Sequence, residues 1–178
     1  MSTKTEKKSN KKLIIIAIAT LVALAVFGFV FFAVLNGTGK KVEVEDTIVL
    51  DAEYKNTDGK MIDLAKEKED PVSFLDELAA KKQNFVVYVS LPICNGDAAQ
   101  FKEYVLDFQR KEKLSFVYLT SDYIKDSFIY ETVKYYPSVI IFKEGKIINY
   151  LRYDSDEDME YYKSYDGFAK WFKANVKY

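Results

Sequence analysis

The sequence predicts an α/β fold, a mixed sheet flanked by helices, preceded by one transmembrane helix near the N-terminus. Two observations predict it. Residues 13–35 run for 23 positions without a charge, interrupted only by Thr20 and Gly28. Behind them, short apolar runs rich in β-branched and aromatic residues alternate with segments whose apolar positions fall three and four apart. That alternation calls for a sheet with helices on both faces.

The 23-residue run comes first. At ~1.5 Å per residue a helix of that length spans roughly 35 Å, against a hydrocarbon core of ~30 Å. Its 16 Leu, Ile, Val and Phe side chains, at ~0.3 to 0.6 kcal/mol each near the bilayer centre, favour insertion. The preceding tail, residues 1–12, carries Lys4, Lys7, Lys8, Lys11 and Lys12 against Glu6 alone. Basic flanks stay in the cytoplasm, so the remainder of the chain is expected outside the plasma membrane. A cleaved signal peptide would have an apolar core of ~7 to 15 residues and a small-residue cleavage pattern, and the run meets neither condition. It therefore reads as an uncleaved signal anchor. Residues 36–45 form a short linker, and residues 46–178 the extracytoplasmic domain.

In that domain, residues 47–54 have the β-branched content of a strand, and Asn56-Thr57-Asp58-Gly59 is a turn signal. Asp70-Pro71 opens a helix, with Asp at the N-cap, Pro at the first position, and Phe74, Leu75, Leu78 and Ala79 on one face. Residues 85–91 are continuously apolar between Asn84 and Pro92, the mark of a central strand buried on both faces. A helix from Asn95 follows through Ala98, Phe101, Val105 and Phe108. Residues 114–120 read as a second buried strand. Ser121-Asp122 then caps a helix over Ile124, Phe128, Ile129 and Val133, which Tyr136-Pro137 ends. Residues 138–143 and 146–153 form a hairpin about Glu144-Gly145. A last helical segment lays Tyr161, Tyr165, Phe168, Phe172 and Val176 on one stripe, broken near Asp166-Gly167 by a new N-cap.

Charge and composition exclude several classes. The chain carries −1 and the tail +4, which leaves −5 for the rest, the wrong sign for a nucleic-acid or anionic-lipid surface. With no His and one Cys, Zn and copper sites of the usual ligand types and His-dependent triads are excluded. Asp154-Ser155-Asp156-Glu157-Asp158 with Glu160 lacks the glycine and spacing of a calcium loop and reads as a solvated negative helix start. Neither metal nor cofactor is expected. The aromatic cluster Tyr161, Tyr162, Tyr165 and Trp171 is either a partner surface or, more often for such a stripe, the core side of the last helix.

Two segments carry a resemblance. Phe85-Val86-Val87-Tyr88-Val89-Ser90-Leu91-Pro92-Ile93-Cys94 is a buried strand that delivers a Cys to the start of a helix, with Phe101 seven residues on. Tyr136-Pro137-Ser138-Val139-Ile140-Ile141-Phe142-Lys143-Glu144-Gly145-Lys146 looks like a cis-proline, strand, turn and strand. With the element order they resemble the thioredoxin-like superfamily over roughly residues 46–178. Within it the chain resembles membrane-tethered bacterial members, including bacteriocin transport accessory proteins. The resemblance implies that Cys94 is the candidate nucleophile, that Pro137 is the cis-proline following Tyr136, and that Asp97 stands where the resolving cysteine belongs. The motif is thus a degenerate C-x-x-D. Ile93 and Tyr88 replace the Trp and the buried Asp that family members carry.

A thiol at a helix N-terminus is favoured as thiolate by the helix dipole, while the Asp97 carboxylate in the same turn opposes that effect. With one Cys in the chain only mixed disulfides can form. The leading expectation is a binding or accessory module for a secretion or envelope process, with Cys94 a remnant of an inherited turn. The alternative is a monothiol thiol-disulfide oxidoreductase or thiol-capture enzyme using Cys94. A third reading makes the domain a subunit of a membrane complex.

Overall fold

The structure, a computed structural model, describes residues 47–178. The basic tail, the 13–35 run and the 36–45 linker lie outside the described residues. Among the described residues no helix is long and apolar enough to cross a membrane.

The described residues open with β1 (Ile48–Val49), which pairs in parallel with β7 (Val176–Lys177) at their other end through Ile48↔Val176 and Val49↔Lys177. Only these two residues of the expected 47–54 strand extend into a ladder. At Asp51 the chain turns: its backbone N–H donates to Asn84 O (3.1 Å) and its carboxylate accepts from Asn84 N (3.2 Å). A short 3-10 turn, Ala52–Tyr54, then follows.

The main sheet has five strands: β2 (Ile62–Asp63), β3 (Phe85–Ser90), β4 (Val117–Thr120), β5 (Ser138–Lys143) and β6 (Lys146–Tyr150). Their spatial order is β2-β4-β3-β5-β6. β2 and β3 each run parallel to β4, and β5 is antiparallel to both β3 and β6. The sheet is therefore mixed. All six residues of β3 are buried, as a central strand with both faces covered requires.

The helices are α1 (Leu64–Glu67), α2 (Pro71–Ala80), α3 (Gly96–Glu112), α4 (Ser121–Ile124), α5 (Ile129–Thr132), α6 (Met159–Tyr162) and α7 (Tyr165–Asn175). α2 begins as its sequence dictates, with Pro71 at N1 and the Asp70 carboxylate accepting from Ser73 N at 3.0 Å. The expected continuous helix after Ser121 is instead two single turns, α4 and α5. Between them the Ser127 hydroxyl donates to Ile124 O (2.8 Å), and Ser127 N bonds the same carbonyl (2.9 Å), a local competitor to helix propagation. The buried 114–120 strand is shorter than expected: Leu114 makes only an isolated bridge to Lys55, and the ladder starts at Val117.

Two cores result. Val86 and Tyr88 of β3 face Phe101, Val105 and Phe108 of α3 and Phe168 and Phe172 of α7. Phe85, Val87 and Val89 face Leu75 and Leu78 of α2 and Ile124, Ile129 and Val133 around α4 and α5. In the β5–β6 turn Glu144 and Gly145 take φ of 50° and 75°, the two positive values of a type I′ turn. Gly145 also packs against the Ala79 carbonyl, leaving no room for a side chain.

Candidate functional site

Cys94, Asp97, Tyr136 and Pro137 converge at one end of the sheet. β3 runs toward that end, its Val89 stands opposite Ser138 at the start of β5, and α3 sets out from it. The register therefore brings the turn after β3 beside the turn before β5, although 42 residues separate Cys94 from Tyr136.

Cys94 is half-buried and precedes the α3 N-cap, Asn95, which makes no side-chain capping bond. Its Sγ donates to Leu91 O at 3.3 Å. The same carbonyl accepts from the Ser90 hydroxyl (3.1 Å), and Ser90 Oγ lies 2.8 Å from Tyr118 Oη, to which Lys102 Nζ donates (3.4 Å). Lys102 can only donate and Leu91 O only accept, so the hydroxyls align between them, with Tyr118 donating to Ser90 and Ser90 to Leu91. Asp97 is exposed in the first turn of α3, where the helix dipole favours a carboxylate.

Behind this turn Tyr88 is fully buried, and its hydroxyl has no hydrogen-bond partner. Its ring lies 5.9 Å from that of Tyr118 and 6.2 Å from that of Phe101. Burial holds the Tyr88 phenol far above its ordinary range, so it stays neutral.

The Tyr136–Pro137 peptide bond is cis. Pro137 is buried, and its carbonyl accepts from Tyr162 Oη at 2.8 Å. Tyr136 is half-buried and donates from its hydroxyl to Val133 O (2.7 Å). Burial, with Tyr130 adding to it, pushes its phenol up to about 12. The next strand is fixed by Ser138 Oγ, which donates to Leu151 O (2.8 Å).

Ile93, at the position where the resemblance implies a Trp, is 81% exposed beside the thiol, and Tyr135, not singled out from sequence, is 56% exposed beside Tyr136. An apolar residue held in water in a loop is the available sequence signal, and it shows only once the loop is known to be one. The aromatic cluster of the last helix resolves to the core: Tyr162 and Trp171 are buried, Tyr161 and Tyr165 half-buried against the same core. The helix breaks two residues earlier than expected, where Ser164 caps α7 by accepting from Gly167 N (3.0 Å). In the acidic run, Asp158 accepts from Arg152 N (2.8 Å), and Arg152 pairs with Glu157 and Asp158 at 3.5 Å each. Among the described residues no group of three or more Cys, Asp or Glu is placed to hold a metal ion.

No protein-family model and no curated protein matches the chain. Solved structures similar to it are thioredoxins. Spinach chloroplast thioredoxin F is 14% identical, with 72% of this chain and 96% of that one covered at a TM-score of 0.45. Thioredoxin from Trypanosoma brucei brucei is 12% identical, with 71% and 99% covered at 0.41. Oxidised thioredoxin from Plasmodium falciparum is 14% identical, with 52% and 91% covered at 0.37. The described residues form a five-stranded mixed sheet with flanking helices, and the sequence holds a single cysteine.

Proposed function

We propose that this protein is a membrane-anchored binding or accessory module of a secretion or envelope process, its thioredoxin-like domain held outside the cytoplasm and its disulfide-exchange site degenerate. The observation that carries this reading is the state of the lone sulfur. The Cys94 thiol donates a hydrogen bond to the Leu91 carbonyl, Asp97 occupies the position of a resolving thiol, and the sequence holds no second Cys. A reduction or isomerisation cycle usually needs that second thiol to release a trapped mixed disulfide. What remains useful at this end of the sheet is a surface: the exposed Ile93 in the turn after β3 and the exposed Tyr135 two positions before the buried Pro137. The anchor rests on the 13–35 run and the basic tail, and the type we propose is that of the membrane-tethered bacterial members, bacteriocin transport accessory proteins included.

The test is capture of partners from solubilised membranes by the full chain and by Cys94→Ser. Equal recovery by both supports the binding module. Recovery lost with the sulfur, in a variant that still folds, supports the alternative, a monothiol oxidoreductase or thiol-capture enzyme. The partial exposure of Cys94 keeps that alternative open to experiment. Topology is tested separately: as the lone thiol, Cys94 should react with a membrane-impermeant maleimide on intact cells, and labelling only after lysis would refute the external placement.

A further inference from the structure

A cleft of about 480 Å³ opens between the edge strand β6 and the helices α6 and α7, within the ~300 to 1,000 Å³ of small-molecule sites. Its polar groups divide into two sets. The charged set is already partnered. Arg152 pairs with Glu157 and Asp158, and its guanidinium donates to Ser155 Oγ (2.9 Å). Lys170 pairs with Glu160. Each of the charged residues on the lining, Arg152, Asp158 and Lys170, thus has an ion partner within the chain, and none stands free to select an ion.

The uncharged set keeps spare bonding capacity. Trp171 is 7% exposed, and its indole N–H donates to no group among the described residues. The sealed, unpartnered side-chain atoms among those residues are Tyr88 Oη and Gln109 Oε1. The Trp171 N–H is therefore open to solvent, which Trp171 meets in this cleft. Beside it Asn149 donates to Asn175 Oδ1 (2.7 Å), Asn175 donates to Trp171 O (2.7 Å), and Asn149 Oδ1 accepts from Tyr150 N (2.8 Å). These bonds pin both amides, yet each keeps a second N–H and each amide oxygen a second lone pair. The half-buried Tyr161 adds an aromatic wall.

We propose that this cleft binds a neutral saccharide. Sugar hydroxyls both donate and accept, which matches the spare sites of Asn149 and Asn175 and supplies an acceptor for the Trp171 N–H. The C–H face of a sugar ring packs on an aromatic side chain such as Tyr161. An apolar ligand would strip water from the indole and the amides without replacing its bonds, and an ion would have to break one of the ion pairs. The site uses neither Cys94 nor the Pro137 turn, so the inference goes beyond the binding-module reading.

Trp171 is the sole tryptophan of the sequence, so its emission reports on this cleft alone. The full chain, in micelles of a detergent without a sugar headgroup, is titrated with glucose, cellotetraose and the N-acetylglucosamine tetramer up to tens of millimolar. A saturable change in emission is expected with at least one of them, and it should persist from low to half-molar salt. A tetramer that binds more tightly than glucose places the natural ligand in a glycan chain, and glucose binding as tightly as either tetramer makes it a free sugar. By calorimetry, Trp171→Phe, which retains an aromatic ring against Phe168, should weaken binding about three- to tenfold, as loss of one hydrogen bond does. Tyr161→Leu should weaken it about two- to tenfold through the lost ring face, and Asp58→Asn, outside the cleft, should change nothing. Circular dichroism checks the fold of each variant, and Tyr161→Leu carries the test alone where Trp171→Phe does not fold. Emission unmoved by all three sugars, binding abolished by salt, or binding untouched by the folded variants would overturn the inference and leave the binding module standing.

Discussion

The hydroxyl of Tyr162 donates to the carbonyl of Pro137 at 2.8 Å, and both residues are buried. One bond thus ties the turn of α6 to the cis-proline turn, 25 residues earlier. Burial, followed by the Asp158 charge, holds the Tyr162 phenol far above its ordinary range, so the donor persists at any pH the fold survives. Tyr162→Phe keeps the ring packing on Phe101, now at 4.4 Å, but strands a buried acceptor. It should cost about 1–3 kcal/mol, measured as a lowered urea midpoint at unchanged slope.

Ser164 ends the stretch between α6 and α7, and its Oγ is the side-chain partner for the Gly167 N–H. Ser164→Ala should cost about 1 kcal/mol, and Ser164→Asp, which keeps an acceptor at the N-cap, should cost much less. Thermal unfolding of the three proteins ranks them.

Gly145 sits at φ 75°, with the Ala79 backbone where a Cβ would go. Gly145→Ala combines left-handed strain with a backbone overlap that no rotamer relieves, so a loss of more than about 2 kcal/mol is expected. Near wild-type stability in a chemical denaturation curve would contradict the packing described for the hairpin.

The Asp70 carboxylate is held below its ordinary range, first by the Ser73 backbone N–H and then by the Ser73 hydroxyl. Because its folded value is depressed, the unfolded chain binds the proton more readily. The Asp70 contribution is therefore fully present above the ordinary aspartate range and lost as pH falls through the folded value. Asp70→Asn should flatten the acid limb of the stability profile relative to wild type. An identical limb in both proteins would show that Asp70 does not contribute to it.

The central strand, the α2 cap and the β5–β6 hairpin were legible because each rests on local chemistry: a continuous apolar run, Asp before Pro, and a Glu-Gly pair between apolar strands. β2 was not, because it is two residues long, Ile62–Asp63, and only its pairing with Val117 and Tyr118 makes it a strand. The split of the 121–132 helix hangs on a side-chain bond from Ser127 that periodicity does not register. At the candidate site, the sequence named Cys94, Asp97, Tyr136 and Pro137. The bonds that surround them, Leu91 O for the thiol and Tyr162 Oη for the proline, join residues whose proximity only the fold creates.

The clasp of β1 on β7 bears on how the protein can be handled. Val49 and Asp51 are hydrogen-bonded to Asn84, just before β3 begins, and Leu50 N donates to Lys177 O, so both ends of the described chain leave beside the start of the central strand. Cys94 lies past the finish of that strand. A dye, bead or fusion partner attached behind Tyr178 would hang from the end of the sheet remote from the thiol. That position can therefore serve as a handle for immobilisation that leaves the Cys94 and Pro137 turns open to an incoming chain.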